Sequence, residues 1–178
     1  MRKTTAMILS ALFAALTAVG ALIRVPTGVS SFTLQIFFSA MAGLLLGAKW
    51  GAASQIVYLV LGLAGLPIFT GGSGPGAFLH PTGGFLLGMA AMAWVIGRIG
   101  ERGGGLRRYL LACLGGLAVL YGVGLPWMHG VLVWVLNREW TLWQTVSGGM
   151  LLFLPWDLLK LAAAALLCAR IRPLLYRN

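Results

Sequence analysis

The segment "YLVLGLAGLPIFTGGSGPGAFLHPTGGFLLG", residues 58–88, joins two apolar runs through a connection rich in glycine and proline. The two runs extend outward over 51–66 and 83–99. A membrane-spanning helix needs about 20 mostly apolar residues, so the first run is short for a span. The pattern predicts two membrane helices that are connected by a long loop outside the lipid.

The composition of the whole chain supports a membrane protein. Sixty per cent of the 178 residues are hydrophobic and only 9% are charged, whereas a soluble domain carries about 25% charged residues. The formal net charge of +10 would suggest nucleic-acid binding in a soluble protein. Here the basic residues cluster at the ends of apolar runs, where they anchor helices to the membrane interface. We therefore expect the lipid bilayer as solvent and no nucleic-acid partner.

The apolar runs predict an all-α integral membrane protein in which residues 1–178 form a single compact bundle. The first run follows a basic start like that of a signal peptide, but it is long and more runs follow, so we interpret it as an uncleaved helix. The fifth run is long enough to tilt, or to kink at Pro126. The six predicted spans are 7–23, 32–47, 51–66, 83–99, 109–136 and 146–169.

The distribution of basic residues predicts the orientation of the bundle. Six spans place both termini on one side, and cytoplasmic loops carry an excess of Lys and Arg. With cytoplasmic termini, ten of the 13 basic residues lie inside, Arg24 and Arg138 lie outside, and Lys160 lies within a span. The inside set is Arg2, Lys3, Lys49, Arg98, Arg102, Arg107, Arg108, Arg170, Arg172 and Arg177.

This orientation places the connections 24–31, 67–84 and 137–145 outside the cell. The middle one is the longest, and glycines such as Gly72 allow the backbone to approach a ligand closely. Its "GGSGPG" lacks the Gly-Lys-Ser/Thr ending of a nucleotide-binding loop. The chain is therefore expected to hydrolyse no nucleotide, and the energy for any transport must come from a partner.

Asp157 and Lys160, in "FLPWDLLK" (153–160), put opposite charges inside the last apolar run. They are three residues apart and so share one face of a helix. Ionisable groups within a membrane are costly and usually mark a functional path. The pair predicts a polar ligand site in the outer half of the span, with a structural ion pair as the alternative.

Histidine and alanine positions give further hypotheses. His80, in the outer loop, is a candidate ligand contact, whereas His129 is expected to hydrogen-bond between helices. Neither has a carboxylate at metal-ligand spacing, so no metal site is expected. On the first helix, Ala11 and Ala15 belong to a face of small residues that lets another helix approach closely, either in this chain or in a partner.

With these residues in view, the sequence resembles the BioY family, the biotin-binding S components of energy-coupling factor (ECF) transporters. The resemblance covers nearly the whole chain. It is carried by "ALFAALTAVGA" (11–21), "FTLQ" (32–35), the segment 58–88 quoted above and "FLPWDLLK". The spacing of Gly-Leu-Pro, Gly-Gly and Pro-Thr-Gly-Gly in 58–88 is the most specific element.

The resemblance implies a substrate-capture subunit in a prokaryotic plasma membrane that is not an enzyme and carries no cofactor. Such a subunit takes biotin from outside and associates with a transmembrane T component and two cytoplasmic ATPases. It implies that Asp157 and Lys160 bind the ligand and that Ala11 and Ala15 contact the T component. The other residues assigned to the ligand site are Tyr58, Phe69 and Trp156 as walls for the biotin rings, together with Gly72 and His80.

The sequence leaves alternatives for several of these contacts. Asp157 can accept from the ureido N–H groups of biotin, and Lys160 can meet either the ureido carbonyl or the carboxylate tail. Three residues depart from the family pattern: His80 and Phe85, which bear on polar contacts at the loop, and Ser31, which is expected to affect only loop geometry. An S component for another vitamin, and an intramembrane enzyme that uses Asp157 as acid or base, remain as alternatives.

Overall fold

The computed structural model of the chain describes residues 2–27, 30–103 and 105–175. Within these ranges the chain is mostly helical, and five helical segments are long and apolar enough to cross a membrane. Of the residues used above, Arg177 and positions 28–29 of the first outer connection lie outside the described ranges.

The elements follow one another in a simple order. Helix α1 is followed by an antiparallel hairpin of β1 and β2 in which Arg24 pairs with Thr33. Because β2 extends over residues 32 and 33, the predicted span 32–47 begins as a strand and is helical only from Gln35. A 3-10 turn at Pro75–Leu79 lies in the long connection, and π-helical turns at Val131–Val135 and Ser147–Leu151 follow α4 and α5. The bounds are α1 Lys3–Leu22, β1 Arg24–Thr27, β2 Ser30–Thr33, α2 Gln35–Leu63, α3 Gly83–Gly100, α4 Gly105–Gly130, α5 Leu142–Val146 and α6 Leu154–Leu175.

Helix α2 consists of two arms, 35–46 and 48–63, which meet at Gly47 with non-helical torsion angles of φ 82° and ψ −179°. The arms lie against each other, because a Cβ on Gly51 would come within 2.7 Å of the Gly43 Cα. The Ser39 hydroxyl also donates to Gln55 Oε1 at 2.5 Å. The chain therefore reverses direction at Gly47, between the segments that the sequence predicts as separate spans.

Contacts around Glu101 define one end of the bundle, which we call the Glu101 end. The Glu101 carboxylate accepts the Ala48 N–H at 2.6 Å and so caps the second arm of α2. Near the C-terminus, Arg172 donates to the Gly100 carbonyl at 2.5 Å. Near the N-terminus, the Ser10 hydroxyl donates to the Trp50 carbonyl at 3.1 Å. The start of α1 and the end of α6 thus lie at the Glu101 end, and the β1–β2 hairpin and the connection 64–82 lie at the opposite end, the loop end.

The interior relies on close backbone approach and on satisfied polar groups. A Cβ on Gly97 would clash with the backbone of Ala48, so α3 and the second arm of α2 are in direct contact there. Between α1 and α2, the Gln55 amide donates to Thr17 Oγ1 at 3.2 Å. Small residues at helix contacts and hydrogen bonds between helices are typical of packing in membranes, where apolar side chains gain little from leaving lipid.

The turn in α2 gives a first prediction. At Gly47 the backbone adopts torsion angles that are essentially restricted to glycine, at a cost of about 1–3 kcal/mol for other residues, and a Cβ would also press on the Glu101 carboxylate. We expect Gly47→Ala to lower the free energy of unfolding by at least this amount, measured by denaturant titration in mixed micelles. Gly122→Ala in α4 is the control, because no atom lies within 4 Å of its Cβ position. Equal stability of the two variants would contradict a strained reversal at Gly47.

Candidate ligand-binding site

A cavity of ≈ 70 Å³ lies at the loop end, enclosed by β2, α2, the connection 64–82, α3, α4 and the region from α5 to α6. Its wall combines aromatic and aliphatic side chains with polar groups that come from β2, the start of α2, the connection 64–82, α4 and α6. The residues that border it include Ser31, Thr33, Gln35, Phe69, Thr82, Phe85, Tyr121, Phe153, Asp157 and Lys160.

Asp157 is the only acid among the residues that border this cavity. Its side chain is 2% exposed, and its two carboxylate oxygens have different surroundings. Oδ2 accepts the Tyr121 hydroxyl at 2.7 Å. Oδ1 lies 2.5 Å from Lys160 Nζ, and no other donor of the described chain is directed at it. The structure thus holds a buried, ion-paired carboxylate whose Oδ1 has lone-pair capacity for a further hydrogen-bond donor.

Lys160 links three parts of the loop end. Its Nζ forms the ion pair with Asp157, donates to the Thr33 carbonyl at 3.0 Å and lies 5.0 Å from the centre of the Phe32 ring. A buried charge without a partner is strongly destabilising, whereas a paired one costs much less. The ammonium therefore stabilises the Asp157 carboxylate and tethers β2 to α6.

The local chain geometry explains how α6 presents these groups. A π-helical turn at Ser147–Leu151 precedes α6, and such turns are frequent at functional sites because they shift the register of the side chains. Pro155 is the second residue of α6, a position at which its missing N–H removes no intrahelical hydrogen bond. The Asp157 N–H donates to the Phe153 carbonyl at 2.9 Å, which places Asp157 one turn inside the helix.

A series of hydrogen-bonded polar side chains extends from β2 through α2 to the long connection. The Thr33 hydroxyl donates to Gln35 Oε1 at 3.0 Å, and Gln35 Nε2 donates to the Tyr58 hydroxyl at 2.7 Å. The Tyr58 hydroxyl in turn donates to the Ile68 carbonyl at 2.8 Å. Because Thr33, Gln35 and Tyr58 each donate and accept a hydrogen bond, this series of bonds holds the Gln35 amide in a fixed orientation at the cavity wall.

Aromatic rings form the apolar wall and rest on glycines. The Phe69 ring lies so close to Gly62 that a Cβ there would clash with it, and Gly124 receives the Phe85 ring in the same way. Phe69 packs edge-on against Tyr58 with 5.3 Å between the ring centres. A wall of this kind suits a flat or bicyclic apolar ligand, and the carboxylate and ammonium supply the polar contacts.

The predicted site residues divide into two groups. Asp157, Lys160 and Phe69 border the cavity together. Tyr58 is buried behind Gln35 and Phe69 and supports both of them. Trp156 is 54% exposed on the outside of α6 and packs edge-on against Phe32, with 5.5 Å between the ring centres. Neither Tyr58 nor Trp156 borders the cavity, so their direct contact with a ligand stays a prediction.

Gly72 and His80 belong to the loop that covers the cavity. Gly72 has a φ of 107° and an open Cβ position, and neither residue borders the cavity itself. The Thr82 N–H donates to His80 Nδ1 at 3.3 Å, and Thr82 does border the cavity. Burial lowers the pKa of the His80 imidazole below its ordinary value, so the ring is neutral at pH 7 and can accept this hydrogen bond. His80 thus positions a neighbour of the cavity.

Several cavity residues were absent from the sequence-based site. Gln35 lies in "FTLQ" (32–35) but was given no role in the predicted site. The sequence signal for Tyr121 is that a side chain with a hydroxyl group interrupts an apolar run. Ser31 lies in β2 and borders the cavity, and the expectation that it affects only loop geometry stays a prediction. Phe85 borders it as well and stands 6.4 Å from the Tyr121 ring centre to centre.

The remaining sequence hypotheses concern surfaces away from the cavity. Ala11 and Ala15 are exposed on α1, whereas Ala14 on the same helix is buried against the bundle. Ala11 and Ala15 therefore do not serve as close contacts within the described chain. His129 Nδ1 lies 3.0 Å from the Thr145 hydroxyl, which agrees with a hydrogen bond between helices.

Fold and site together define a multi-pass membrane protein with a small cavity, lined by polar and aromatic groups, at one end of its bundle. The chain belongs to the BioY family, whose sequence model matches residues 1–177.

Individual relatives agree with this assignment. The chain is 42% identical to the probable biotin transporter BioY of Lysinibacillus sphaericus over 79% of its own length and 74% of that protein. It is 36% identical to the biotin transporter BioY of Thermotoga maritima over 94% of its length and 96% of that protein. A crystal structure at 2.1 Å of the S-component for biotin from an ECF-type ABC transporter superposes with a TM-score of 0.83 at 28% identity. That match covers 96% of this chain and 92% of the other.

The charge pair gives a prediction that needs no ligand. Lys160→Met leaves the Asp157 carboxylate buried without its ammonium, and breaking a buried pair in this way costs about 3–5 kcal/mol. We expect the loss to appear as a lower free energy of unfolding in mixed micelles. The double variant Asp157→Asn/Lys160→Met should recover most of it, because no charge is then left unpaired. A double variant as unstable as Lys160→Met alone would show that the lysine acts through packing.

Proposed function

We propose that this chain is the substrate-capture subunit of an ATP-driven ECF-type vitamin transporter, and that it binds biotin from the extracellular side of a prokaryotic cell membrane. Membership of the BioY family and the names of its relatives support the ligand. The observation that carries the proposal is the buried Asp157 carboxylate, which borders the cavity together with its ion-pair partner Lys160 and has acceptor capacity left on Oδ1. A transport role also fits the cavity better than catalysis, since Asp157 is the one acid that borders it.

The spacing of these two groups favours the ureido end of biotin as their partner. Asp157 Oδ1 and Lys160 Nζ are 2.5 Å apart, so an acceptor and a donor sit side by side. A ureido group presents an N–H donor and a carbonyl acceptor on neighbouring atoms, which matches this pair. The carboxylate tail would instead approach the Asp157 carboxylate closely, and like charges at short distance disfavour each other.

Binding in this proposal requires the loop end to open. The cavity of ≈ 70 Å³ is smaller than the roughly 300–1,000 Å³ that is typical of sites for small molecules. The connection 64–82 is the element best suited to move, because it contains glycines with positive φ at 65, 72 and 74 and carries Phe69 and Thr82 to the wall. Movement of this loop would admit the bicyclic ring between Phe69 and Phe85.

The bundle in this proposal crosses the membrane six times with both termini in the cytoplasm. The reversal of α2 at Gly47 and the excess of basic residues on one side support this topology. It places the cavity at the extracellular surface and the Glu101 end in the cytoplasm. The partners are a transmembrane T component, which meets the exposed Ala11 and Ala15 face of α1, and two cytoplasmic ATPase subunits that supply the energy.

Calorimetric titration of the purified protein with biotin, riboflavin and thiamine tests the ligand. We expect saturable binding of biotin alone. Asp157→Asn should weaken it about ten- to thousand-fold, because a hydrogen bond to a charged group contributes about 1.5–3 kcal/mol and the new amide N–H₂ adds an unpaired donor. Tight binding of another vitamin would assign the chain to a different substrate on the same fold.

The amide of biotin, which lacks the tail charge, separates the two roles of Lys160. Because we place Lys160 at the ureido end, Lys160→Met should weaken biotin and its amide by the same factor. A loss confined to biotin would place the lysine at the tail. Unchanged binding of both ligands by folded Lys160→Met and Asp157→Asn variants would make the pair purely structural.

The α1 face gives a prediction about assembly. Ala11→Trp/Ala15→Trp should leave biotin binding by the isolated protein unchanged and abolish co-purification of the T component and ATPases, since bulky rings prevent close helix approach. Leu111→Trp/Leu114→Trp on α4 is the control, because these side chains are also exposed and lie outside the proposed contact. Normal assembly of the α1 variant, or an equal loss in the control, would rule out a specific α1 contact.

Cysteine labelling in intact cells tests the topology. We expect Gly76→Cys, in the exposed part of the connection 64–82, to react with a membrane-impermeant maleimide, and Arg102→Cys to react only after the cells are opened. The native Cys113 and Cys168 are buried and should contribute little background. The reverse pattern of labelling would show that the protein has the opposite orientation in the membrane.

A further inference from the structure

A groove of ≈ 590 Å³ lies on the side of the bundle at the Glu101 end, between the second arm of α2 and α3. It is separate from the cavity at the loop end, and no residue borders both. Two large apolar side chains along it, Ile56 and Trp94, are each 51% exposed. The groove is therefore open to the lipid phase rather than filled by the protein.

The residues along the groove are arranged by polarity. On α2, Lys49 is followed on the same face by Ala52, Ala53 and Ile56. On α3, Arg98 and Trp94 are four residues apart and share a face in the same way. Both helices thus present a cation near the Glu101 end and apolar surface deeper in the bilayer, with alanines forming the floor between the taller walls.

The charges at the head of the groove do not cancel. Glu101 Oε1 accepts the Ala48 N–H at 2.6 Å, and its Oε2 lies 3.9 Å from Arg98 at an exposed site, where such a pair contributes little. Lys49 and Arg98 thus outnumber the one carboxylate that borders the groove, and the positive end of the second arm of α2, whose first N–H groups lack helical partners, adds to them. The head of the groove carries a net positive potential.

We propose that this groove binds one anionic phospholipid, with its phosphate head group between Lys49 and Arg98 and an acyl chain along Ala52, Ala53, Ile56 and Trp94. The order of charge and apolar surface along the groove is that of a lipid, which carries its phosphate at the head of its chains. Basic pockets between membrane helices bind acidic head groups for this reason. A single lipid supplies both the apolar chain and the anion that the groove matches.

Native mass spectrometry of the purified full chain with added phosphatidylglycerol or phosphatidylcholine tests this site. We expect one tightly retained phosphatidylglycerol per chain and much weaker retention of phosphatidylcholine. Lys49→Gln/Arg98→Gln should lower the affinity for phosphatidylglycerol about 30-fold, since each cation near an anionic head group contributes a factor of about five. The affinity of this variant for phosphatidylcholine should equal that of the wild type.

Two further variants distinguish a specific lipid site from non-specific electrostatic attraction between the basic end of the bundle and an anionic lipid. Arg107→Gln/Arg170→Gln removes the same charge from exposed positions at the same end and should retain phosphatidylglycerol as the wild type does. Ala52→Leu/Ala53→Leu keeps both cations but fills the floor, and should lose the tightly bound lipid. An equal loss in the Arg107/Arg170 control, retention by the leucine variant, or no preference for phosphatidylglycerol in the wild type would each overturn the proposal.

Discussion

The ion pair between Asp157 and Lys160 is the interaction on which the loop end depends. A carboxylate that is 2% exposed in a bundle surrounded by lipid persists only where other groups compensate its charge. Lys160 and Tyr121 provide this compensation, and each comes with a structural connection. Tyr121 ties α4 to α6, and the bond from Lys160 to the Thr33 carbonyl ties β2 to α6. The same contacts that stabilise the charge therefore assemble the walls of the cavity.

The two ends of the bundle have different roles. At the Glu101 end, side chains cap helices and hold turns: Glu101 caps the second arm of α2, and Arg172 binds the last carbonyls of α3. At the loop end, polar groups border a cavity, and Oδ1 of Asp157 contacts the Lys160 ammonium alone among the donors of the described chain. Its remaining acceptor capacity, beside a loop rich in glycine, is what a ligand with N–H donors would use.

The sequence predicted the membrane class and the charged pair, because both depend on local patterns: the length of apolar runs, and a carboxylate and an amine three residues apart. The position of Phe69 followed from the quoted segment 58–88. Other features depend on tertiary packing that the sequence does not display. Tyr121 reaches Asp157 only when α4 and α6 are in register, and Gln35 meets Tyr58 only because α2 reverses at Gly47. Trp156 was predicted as a site residue because it is next to Asp157 in the sequence. Neighbouring side chains on a helix differ in direction by about 100°, however, and Trp156 is directed outward.

A double-mutant cycle between protein and ligand tests the central claim most directly. Biotin and a derivative methylated at a ureido nitrogen would be titrated against the wild type and Asp157→Asn. If Asp157 Oδ1 accepts that N–H, methylation should weaken binding to the wild type by at least about tenfold more than binding to Asp157→Asn, since the charged hydrogen bond contributes about 1.5–3 kcal/mol. Steric effects of the methyl group are common to both proteins and cancel. An equal penalty in the two proteins, with either ureido nitrogen methylated, would contradict a hydrogen bond from the ureido group to Asp157.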